Sequence, residues 1–414
     1  MKRLFILIAL VVSFNSYSQE NIVLTGKPET DADAYYNRGN AKKKLQDYRG
    51  AIADYNKAIE LIPNYVNAYN NRGLAKYKLQ DNSGAIADYN KAIELKPDNA
   101  EAYHNRGIAK GNLQDYRGSI ADFTKAIELE PDNAKAYYNR GHAKDDLQDY
   151  RGAIADYTKA IELRPDDAEA YNNRGVAKNN LQDYRGAIAD FTIAIKLNPD
   201  DVDAYNNRGV AKHALKDYRG AIADFTKAIE LKPDYAGAYY NRGLAKKNLQ
   251  DYRGAIADYT KAIELKPDYA GAYYNRGNAK DDLQDYIGSI ADYTKAIELR
   301  PDDAEAYYNR ANAKFRLQDY RGAIADFTKA IELKPDFADA YNNRGLAKAN
   351  LQDYRGAIAD YNKAIELRPD NSQAYYNRGN AKALKDLDGA CLDWSKAGEL
   401  GFSGAYDLIK KYCK

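Results

Sequence analysis

Residues 304–337 read AEAYYNRANAKFRLQDYRGAIADFTKAIELKPDF, and this 34-residue unit recurs with small changes along most of the 414-residue chain. Successive prolines mark its period, always 34 residues apart: Pro63, Pro97, Pro131, Pro165, Pro199, Pro233, Pro267, Pro301, Pro335 and Pro369. A fixed period of roughly 20–50 residues is the signature of a solenoid, in which each unit packs on its neighbours. The period predicts one array over residues 32–401, with about eleven repeats that begin near residues 32, 66, 100, 134, 168, 202, 236, 270, 304, 338 and 372.

The second half of the unit has a strong amphipathic pattern. Ala323, Phe327 and Ile331 follow one another at four-residue intervals, which places apolar side chains on one face of an α-helix. Asp319 stands before this pattern as a good N-cap residue. Pro335 follows it, and the residue before a proline is pushed out of the helical conformation. These signals predict a helix that starts after Asp319 and ends just before Pro335.

The first half of the unit predicts another helix with a narrower apolar stripe, formed by Ala306, Tyr307, Ala313 and Leu317. Asp302 lies before it and Glu305 follows three residues later, which resembles a capping box at a helix start. The same pair recurs at Asp98 and Glu101 and at Asp166 and Glu169. Because no stretch alternates as a strand does, we expect an all-α fold, an α-solenoid of helix-turn-helix units.

A glycine occupies the middle of the first helix in ten of eleven repeats, and Ala311 is the exception. Glycine inside a helix costs roughly 0.5–1 kcal/mol relative to alanine, so its recurrence predicts a contact that a side chain would block. Small residues of the second helix, such as Ala51 and Ser119, are the expected neighbours across this contact. The aromatic residue of the second helix, Phe327 in the quoted unit, is expected to fill the remaining space.

The N-terminus has the layout of a secretory signal peptide. Lys2 and Arg3 precede an unbroken apolar run of nine residues at 4–12, and small residues around Ser18 provide a cleavage site before Gln19. Nine apolar residues are too few for a permanent anchor, which needs about 20. We therefore expect residues 1–18 to be removed, leaving no integral membrane segment, and the protein to be exported to the periplasm or the extracellular space.

Charge and motifs exclude several classes of function. Removal of residues 1–18 leaves 60 basic and 60 acidic residues, and nucleic acid and anionic membranes both call for a basic excess. Histidine occurs only as His104, His142 and His213, in three different repeats and without metal-ligand spacing. No phosphate-binding glycine loop or nucleophile elbow is present. We therefore expect no enzyme activity, no cofactor and no nucleic acid partner.

The two ends of the array depart from the repeat. Residues 19–31 have the composition of a flexible lead-in, and residues 402–414 have that of a C-terminal helix that caps the last apolar surface. Cys391 and Cys413 flank this end. Two arrangements remain open for them, a disulfide that ties the cap to the last repeat or a pair of buried thiols, and an exported protein can keep a disulfide.

The unit resembles the tetratricopeptide repeat family through a set of matching residues: Tyr307, Ala311, Ala323, Phe327, Ala330 and Pro335. The resemblance recurs eleven times in register. It implies a right-handed superhelix whose first helices line a concave face, and it implies the binding of peptides or partner proteins there. The C-terminal stretch also resembles that of secreted tetratricopeptide proteins of Bacteroidota-type bacteria.

One departure from the family is a set of charges. Every first helix carries an Arg and a Lys, such as Arg174 and Lys178, and every second helix carries an Asp, such as Asp190. We expect Arg and Asp to pair within or between repeats as a structural ladder. If the pairs are exposed they contribute about 0–1 kcal/mol each, whereas breaking buried pairs costs about 3–5 kcal/mol.

The candidate peptide-binding residues are an asparagine that is present in every first helix: Asn37, Asn71, Asn105, Asn139, Asn173, Asn207, Asn241, Asn275, Asn309, Asn343 and Asn377. An amide both donates and accepts hydrogen bonds, so it can pair with a peptide group of any sequence. The resemblance implies such a ladder, since some superhelical members of the family hold an extended peptide in this way. Alternatively, each Asn bonds a neighbouring helix and sets the stacking of repeats.

The residue before this asparagine varies, and it is a tyrosine in several repeats, including Tyr138, Tyr240, Tyr274 and Tyr308. Tyrosines on such a face can act as contact hot spots for a peptide or protein. They can also stack on sugar rings, so a glycan ligand stays open. A third alternative is a structural envelope protein that associates with itself.

Overall fold

The structure is a computed structural model that describes residue 22 and residues 24–413. The predicted signal peptide at residues 1–18 lies outside the described residues. The described part contains 23 α-helices and no strand. The first helices of the repeats are α1 (Pro28–Lys44), α3 (Val66–Lys78), α5 (Ala100–Asn112), α7 (Ala134–Asp146), α9 (Ala168–Asn180), α11 (Val202–Ala214), α13 (Ala236–Asn248), α15 (Ala270–Asp282), α17 (Ala304–Arg316), α19 (Ala338–Asn350) and α21 (Ser372–Lys382). The second helices are α2 (Tyr48–Leu61), α4 (Asn82–Leu95), α6 (Tyr116–Leu129), α8 (Tyr150–Leu163), α10 (Tyr184–Leu197), α12 (Tyr218–Leu231), α14 (Tyr252–Leu265), α16 (Tyr286–Leu299), α18 (Tyr320–Leu333), α20 (Tyr354–Leu367) and α22 (Leu387–Glu399), and α23 (Gly404–Tyr412) follows.

The chain forms two compact units, of which one ends at Ala211 and the other begins at Lys212. Within each unit, consecutive helices pack in tandem, so the fold is the all-α repeat solenoid that the period predicts. Successive first helices also contact each other directly, as α3 does with α5 and α13 with α15. The first helices therefore share one face of each unit, which we call the first-helix face.

The turn between the two helices of a repeat is short because the same residues end the first helix and cap the second. In the fifth repeat, the N–H of Gln182 donates to the carbonyl of Asn179 (2.9 Å), and the N–H of Asp183 donates to that of Lys178 (2.9 Å). This is a Schellman motif, and its left-handed position is usually a glycine. Here Gln182 takes it with a φ of 62°. Asp183 then caps α10 by accepting from the N–H of Gly186 (3.0 Å).

The N-caps of the second helices are as predicted, and Asp319 accepts from the third residue of α18. The capping-box prediction for the first helices was wrong by one residue, since Asp303 and not Asp302 accepts from the N–H of Ala306 (3.1 Å). Pro301 and Asp302 are used in a turn before the helix, and a proline is favoured at this place in a turn. The same shift makes the N-caps Asn99 and Asp167 instead of Asp98 and Asp166.

The glycine of the first helix packs against an aromatic ring. A Cβ built on Gly175 would lie 2.7 Å from Cε1 of Phe191, a fully buried ring of the second helix. The expected steric block is therefore confirmed, but the blocking group is the aromatic ring and not the small residue of the second helix. The small residue contributes at most its backbone, as in the carbonyl of Ala153, which would lie 3.3 Å from a Cβ on Gly141.

The first helix begins at Pro28, so residues 28–31 of the expected lead-in belong to α1. The N–H groups of Thr25 (2.7 Å) and Gly26 (3.1 Å) donate to the carboxylate of Asp31. The bond from the backbone of Thr25 is the main cause that lowers the pKa of Asp31. These bonds hold the segment before the array against its first turn.

The C-terminal helix α23 packs on α22 of the last repeat. A disulfide joins Cys391 of α22 to Cys413, which directly follows α23, and this is one of the two arrangements that the sequence left open. The ring of Phe402 lies 4.4 Å from that of Tyr376 (centroid distance). In the ninth repeat, Phe337, which directly precedes the first helix of the tenth repeat, makes the same contact with Tyr308 at 4.7 Å. The C-terminal segment therefore replaces the missing next repeat.

Candidate functional site

The charged residues that every repeat shares form a cluster between its two helices. In the fifth repeat, Nε and Nη2 of Arg174 donate to the carboxylate of Asp190 (2.9 and 2.7 Å), and Nζ of Lys178 lies 2.7 Å from the same carboxylate. Nη1 of Arg174 also donates to Oγ1 of Thr158 in the preceding repeat (3.1 Å). Only 3% of the Asp190 side chain and 14% of the Arg174 side chain are exposed. The Arg–Asp pairing is thus within repeats, and the same Arg joins successive repeats.

These charges hold the framework together, and they leave little free capacity for a ligand. The same Arg–Asp–Lys cluster recurs along the described chain, for example in the eighth repeat with Arg276, Asp292 and Lys280. Each guanidinium also lies over a tyrosine ring of its own helix, at 5.4 Å for Arg174 over Tyr171. The residues that differ between repeats lie outside these clusters.

The predicted asparagine ladder connects the first helices of successive repeats. Nδ2 of Asn173 donates to the hydroxyl of Tyr138, 35 residues earlier in the preceding repeat (2.8 Å). The same bond joins Asn275 to Tyr240 (3.0 Å), Asn309 to Tyr274 (2.9 Å) and Asn343 to Tyr308 (3.1 Å). In other repeats the partner is His104 for Asn139, Asn172 for Asn207 and Asn342 for Asn377. This geometry supports the stacking role that the sequence left open as an alternative to peptide binding.

The tyrosines of the ladder are half-buried. The ring of Tyr138 packs against that of Tyr157 in the second helix, with 5.8 Å between centroids, and Tyr308 packs against Phe327 at 5.7 Å. Burial raises the pKa of the ladder tyrosines Tyr138, Tyr240, Tyr274 and Tyr308. Their hydroxyls therefore stay protonated.

Each unit has a cavity on the first-helix face that contains a residue of the asparagine ladder. The first, which we call the Gly111 pocket, has a volume of about 240 Å³ and lies between the third and fourth repeats. Ile108 and Gly111 line it on one side, and Asn139, His142 and Asp146 line it on the other. Nδ1 of His142 lies 3.2 Å from the Asp146 carboxylate. This cavity therefore includes one asparagine of the predicted ladder.

The second cavity, which we call the Arg316 pocket, has a volume of about 400 Å³. Asp281 and Arg316 bring opposite charges to its wall, next to Tyr308 and the ladder residue Asn343. Burial is the main cause that raises the pKa of Asp281, and the nearby Arg316 acts in the opposite direction. A cavity with both signs of charge can take the groups of a peptide.

The residues at 111, 146, 281 and 316 were missed by the sequence analysis, which considered only the variable positions nearest the asparagine. All four belong to the last turn of a first helix. The available signal was repeat-to-repeat variation at two adjacent positions between the shared Lys and the shared Leu. Whether the side chains at these two positions line a cavity depends on how the next repeat stacks. The hydrophobic pattern of one helix does not contain that information.

Among the described residues, no group of three or more His, Cys, Asp or Glu side chains is arranged to hold a metal ion. In the same part of the chain, no helix combines the length and hydropathy of a membrane span. His104 is half-buried, and burial lowers its pKa. Its Nε2 lies 3.3 Å from Nδ2 of Asn139, so it takes the place of a ladder tyrosine.

Comparison with known proteins identifies the repeat. The tetratricopeptide repeat family model matches residues 134–167, 168–201, 202–235, 304–337 and 338–371. A further model, described as TPR repeat, matches residues 39–80, 76–114, 112–144, 247–280 and 282–318. Among curated proteins, none gives a significant match.

Two solved structures are similar to this chain over part of its length. A tetratricopeptide repeat protein from Parabacteroides merdae ATCC 43184 is 19% identical with a TM-score of 0.46, and the match covers 60% of this chain and 98% of that one. YrrB, described as a TPR protein with an unusual peptide-binding site, is 27% identical with a TM-score of 0.42, over 44% of this chain and 95% of its own. Because the family models match more than half of its length, the chain belongs to the tetratricopeptide repeat family.

Proposed function

We propose that this protein is an exported scaffold that binds peptides or partner proteins through its first-helix face. The observation that carries the proposal is that variation and cavities coincide. The shared charges are paired between the helices of each repeat. Both pockets on the first-helix face include residues that change from repeat to repeat, such as Gly111 and Arg316, beside a shared asparagine. Residues of this face vary from repeat to repeat while the framework residues are shared. The face can therefore be specific for one ligand.

The pockets favour a peptide or protein over a glycan. Sugar stacking requires the flat face of an aromatic ring, and the ladder tyrosines are half-buried and packed against the rings of the second helices. The Arg316 pocket instead combines the amide of Asn343 with charges of both signs, on Asp281 and Arg316. These groups complement peptide bonds and charged side chains.

Export is supported by two independent features. The first is the signal-like pattern at residues 1–18. The second is the disulfide between Cys391 and Cys413, because disulfides persist mainly in oxidising compartments. N-terminal sequencing of protein from the native cell envelope and medium tests this part: we expect a mature chain that begins at Gln19, and an intact N-terminus on cytoplasmic protein would overturn it.

Charge reversal on the first-helix face tests the binding role. A variant with Asp146→Lys, Asp281→Lys and Arg316→Glu changes three exposed or half-exposed side chains that line the two pockets at the ends of first helices. We expect it to lose the partners that the mature protein captures from envelope extract, as measured by pull-down and mass spectrometry. The variant should keep its helical circular dichroism spectrum, because none of these side chains belongs to a shared Arg–Asp–Lys cluster.

A matched control makes the same charge changes in the same repeats on the second helices. Glu162→Lys, Glu298→Lys and Lys329→Glu alter exposed side chains whose only ion pairs are three residues apart on one helix, and such pairs contribute little to stability. We expect this control to keep its partners. Loss of partners in the control alone would instead support binding through the second helices, and light scattering of both variants would reveal self-association.

A further inference from the structure

The Gly111 pocket exists because one repeat lacks a side chain that most others have. The residue after the shared Lys of the first helix varies along the array: Lys43, Tyr77, Gly111, Asp145, Asn179, His213, Lys247, Asp281, Phe315, Ala349 and Ala383. Gly111 is the only glycine among them. The pocket opens at this position, next to the tyrosine that begins the second helix.

Two other repeats show what fits there. In the ninth repeat the ring of Phe315 stands edge-on to Tyr320, with 5.2 Å between centroids and 65° between planes. In the sixth repeat, the ring of His213 meets Tyr218 at 5.2 Å and 61°. Edge-to-face contacts of this kind are favourable for aromatic pairs. The space beside this tyrosine is thus suited to an aromatic ring in two different sequence contexts.

Packing does not require a glycine at position 111. A Cβ added to Gly111 would lie 3.5 Å from Oγ of Ser119, which is an ordinary contact. By contrast, a Cβ on Gly107 in the same helix would lie 2.9 Å from the ring of Phe123. Glycine lowers helix stability relative to alanine. The contact with Phe123 explains why Gly107 is a glycine, and no comparable contact explains Gly111.

The cavity has the size and lining for one side chain. Its volume of about 240 Å³ is below the roughly 300–1,000 Å³ of pockets that enclose a whole small molecule. Ile108, Tyr116 and Phe123 provide apolar walls, and Asn139 and His142 lie on the side of the next repeat. A cavity with these apolar walls on one side, and with the polar groups of Asn139, His142 and Asp146 on the other, suits a side chain whose backbone remains outside.

We propose that the Gly111 pocket binds a phenylalanine or tyrosine side chain of a peptide ligand. The ring takes the place that Phe315 occupies in the ninth repeat and stands edge-on to Tyr116. The peptide groups on either side of this residue then lie against Asn139 and His142. This inference rests on the proposed function, because it names the side chain that the first-helix face selects.

The direct test uses small aromatic probes on the mature full-length protein. Saturation-transfer NMR would compare N-acetyl-phenylalaninamide, N-acetyl-tyrosinamide and N-acetyl-leucinamide. We expect the aromatic probes to bind at least fivefold more tightly than the leucine probe, and their binding to fall at least tenfold in Gly111→Phe, which fills the pocket as Phe315 does. Equal binding of all probes, or equal binding to the wild type and the filled variant, would overturn the proposal.

Two further variants keep the test informative, including the case in which Gly111→Phe does not fold. Gly111→Leu fills the same space without an aromatic ring and replaces Gly111→Phe if the latter unfolds. In the Gly111→Phe background, Phe315→Gly opens the equivalent space beside Tyr320 and should restore part of the aromatic binding. If the probes fail while the charge-reversal variant still loses its partners, only the pocket assignment is wrong, whereas failure of both removes the binding role itself.

Discussion

Replacing Arg174 with methionine tests whether the buried charge clusters hold the repeats together. The guanidinium makes two hydrogen bonds to Asp190 (2.9 and 2.7 Å) and one to Thr158 of the preceding repeat (3.1 Å). Asp190 is 3% exposed, so it cannot recover these bonds from water. Methionine keeps most of the length and apolar stem of arginine but provides no donor.

The expected magnitude follows from what remains in the cluster. Removing one partner of a buried ion pair costs about 3–5 kcal/mol when the other charge is left alone. Lys178 stays 2.7 Å from Asp190, so the carboxylate keeps one cation and the lower end applies. We therefore expect the free energy of local opening to fall by about 3 kcal/mol. The equilibrium constant for opening would then increase on the order of 100-fold.

Hydrogen exchange followed by mass spectrometry measures this locally, which matters because a repeat array need not unfold in one step. Peptides from α9 and α10 should exchange on the order of 100-fold faster in Arg174→Met than in the wild type. The control Lys159→Met breaks an exposed pair, in which the side chains of Lys159 and Glu162 are 46% and 58% exposed. Such a pair contributes about 0–1 kcal/mol, so its effect should be less than about fivefold. Exchange in Arg174→Met that is no faster than in this control would refute the reasoning.

Three further changes test other parts of the repeat. Gln182→Gly removes a non-glycine residue from φ 62°, so thermal melts should show it more stable by about 0.5–1 kcal/mol; a lower melting temperature would contradict this. Gly175→Ala puts a Cβ 2.7 Å from Phe191 and should cost about 1–3 kcal/mol, measured by urea unfolding; no loss would mean that the ring moves freely. Burial lowers the pKa of His104 below its ordinary value of 6.5, so the unfolded chain binds more protons and stability is lost as the pH falls below about 6.5. His104→Tyr gives Asn139 a hydroxyl partner, and melts at pH 7.5 and 5 should show a smaller difference than in the wild type; an unchanged difference would exclude His104 as its source.

Much of the fold could be predicted because the relevant signals are local. The 34-residue period shows the number of units, Pro335 ends a second helix, and Asp319 begins one as its N-cap. The first-helix cap was misassigned because the turn after Pro301 uses Asp302, so that Asp303 becomes the cap. Acidic residues at adjacent positions are equally good caps, and only the turn geometry distinguishes them.

The amino-acid sequence alone determined that this chain is a repeat solenoid of paired helices, since burial periodicity, caps and helix breakers act within one unit of 34 residues. The tertiary structure decided what each side chain meets. Asn173 bonds Tyr138, 35 residues away, and the space beside Gly111 is closed on its far side by Asn139 and His142. These contacts depend on how one repeat stacks on the next, and a helical pattern records which residues are buried but not which atoms of the neighbouring unit lie opposite them.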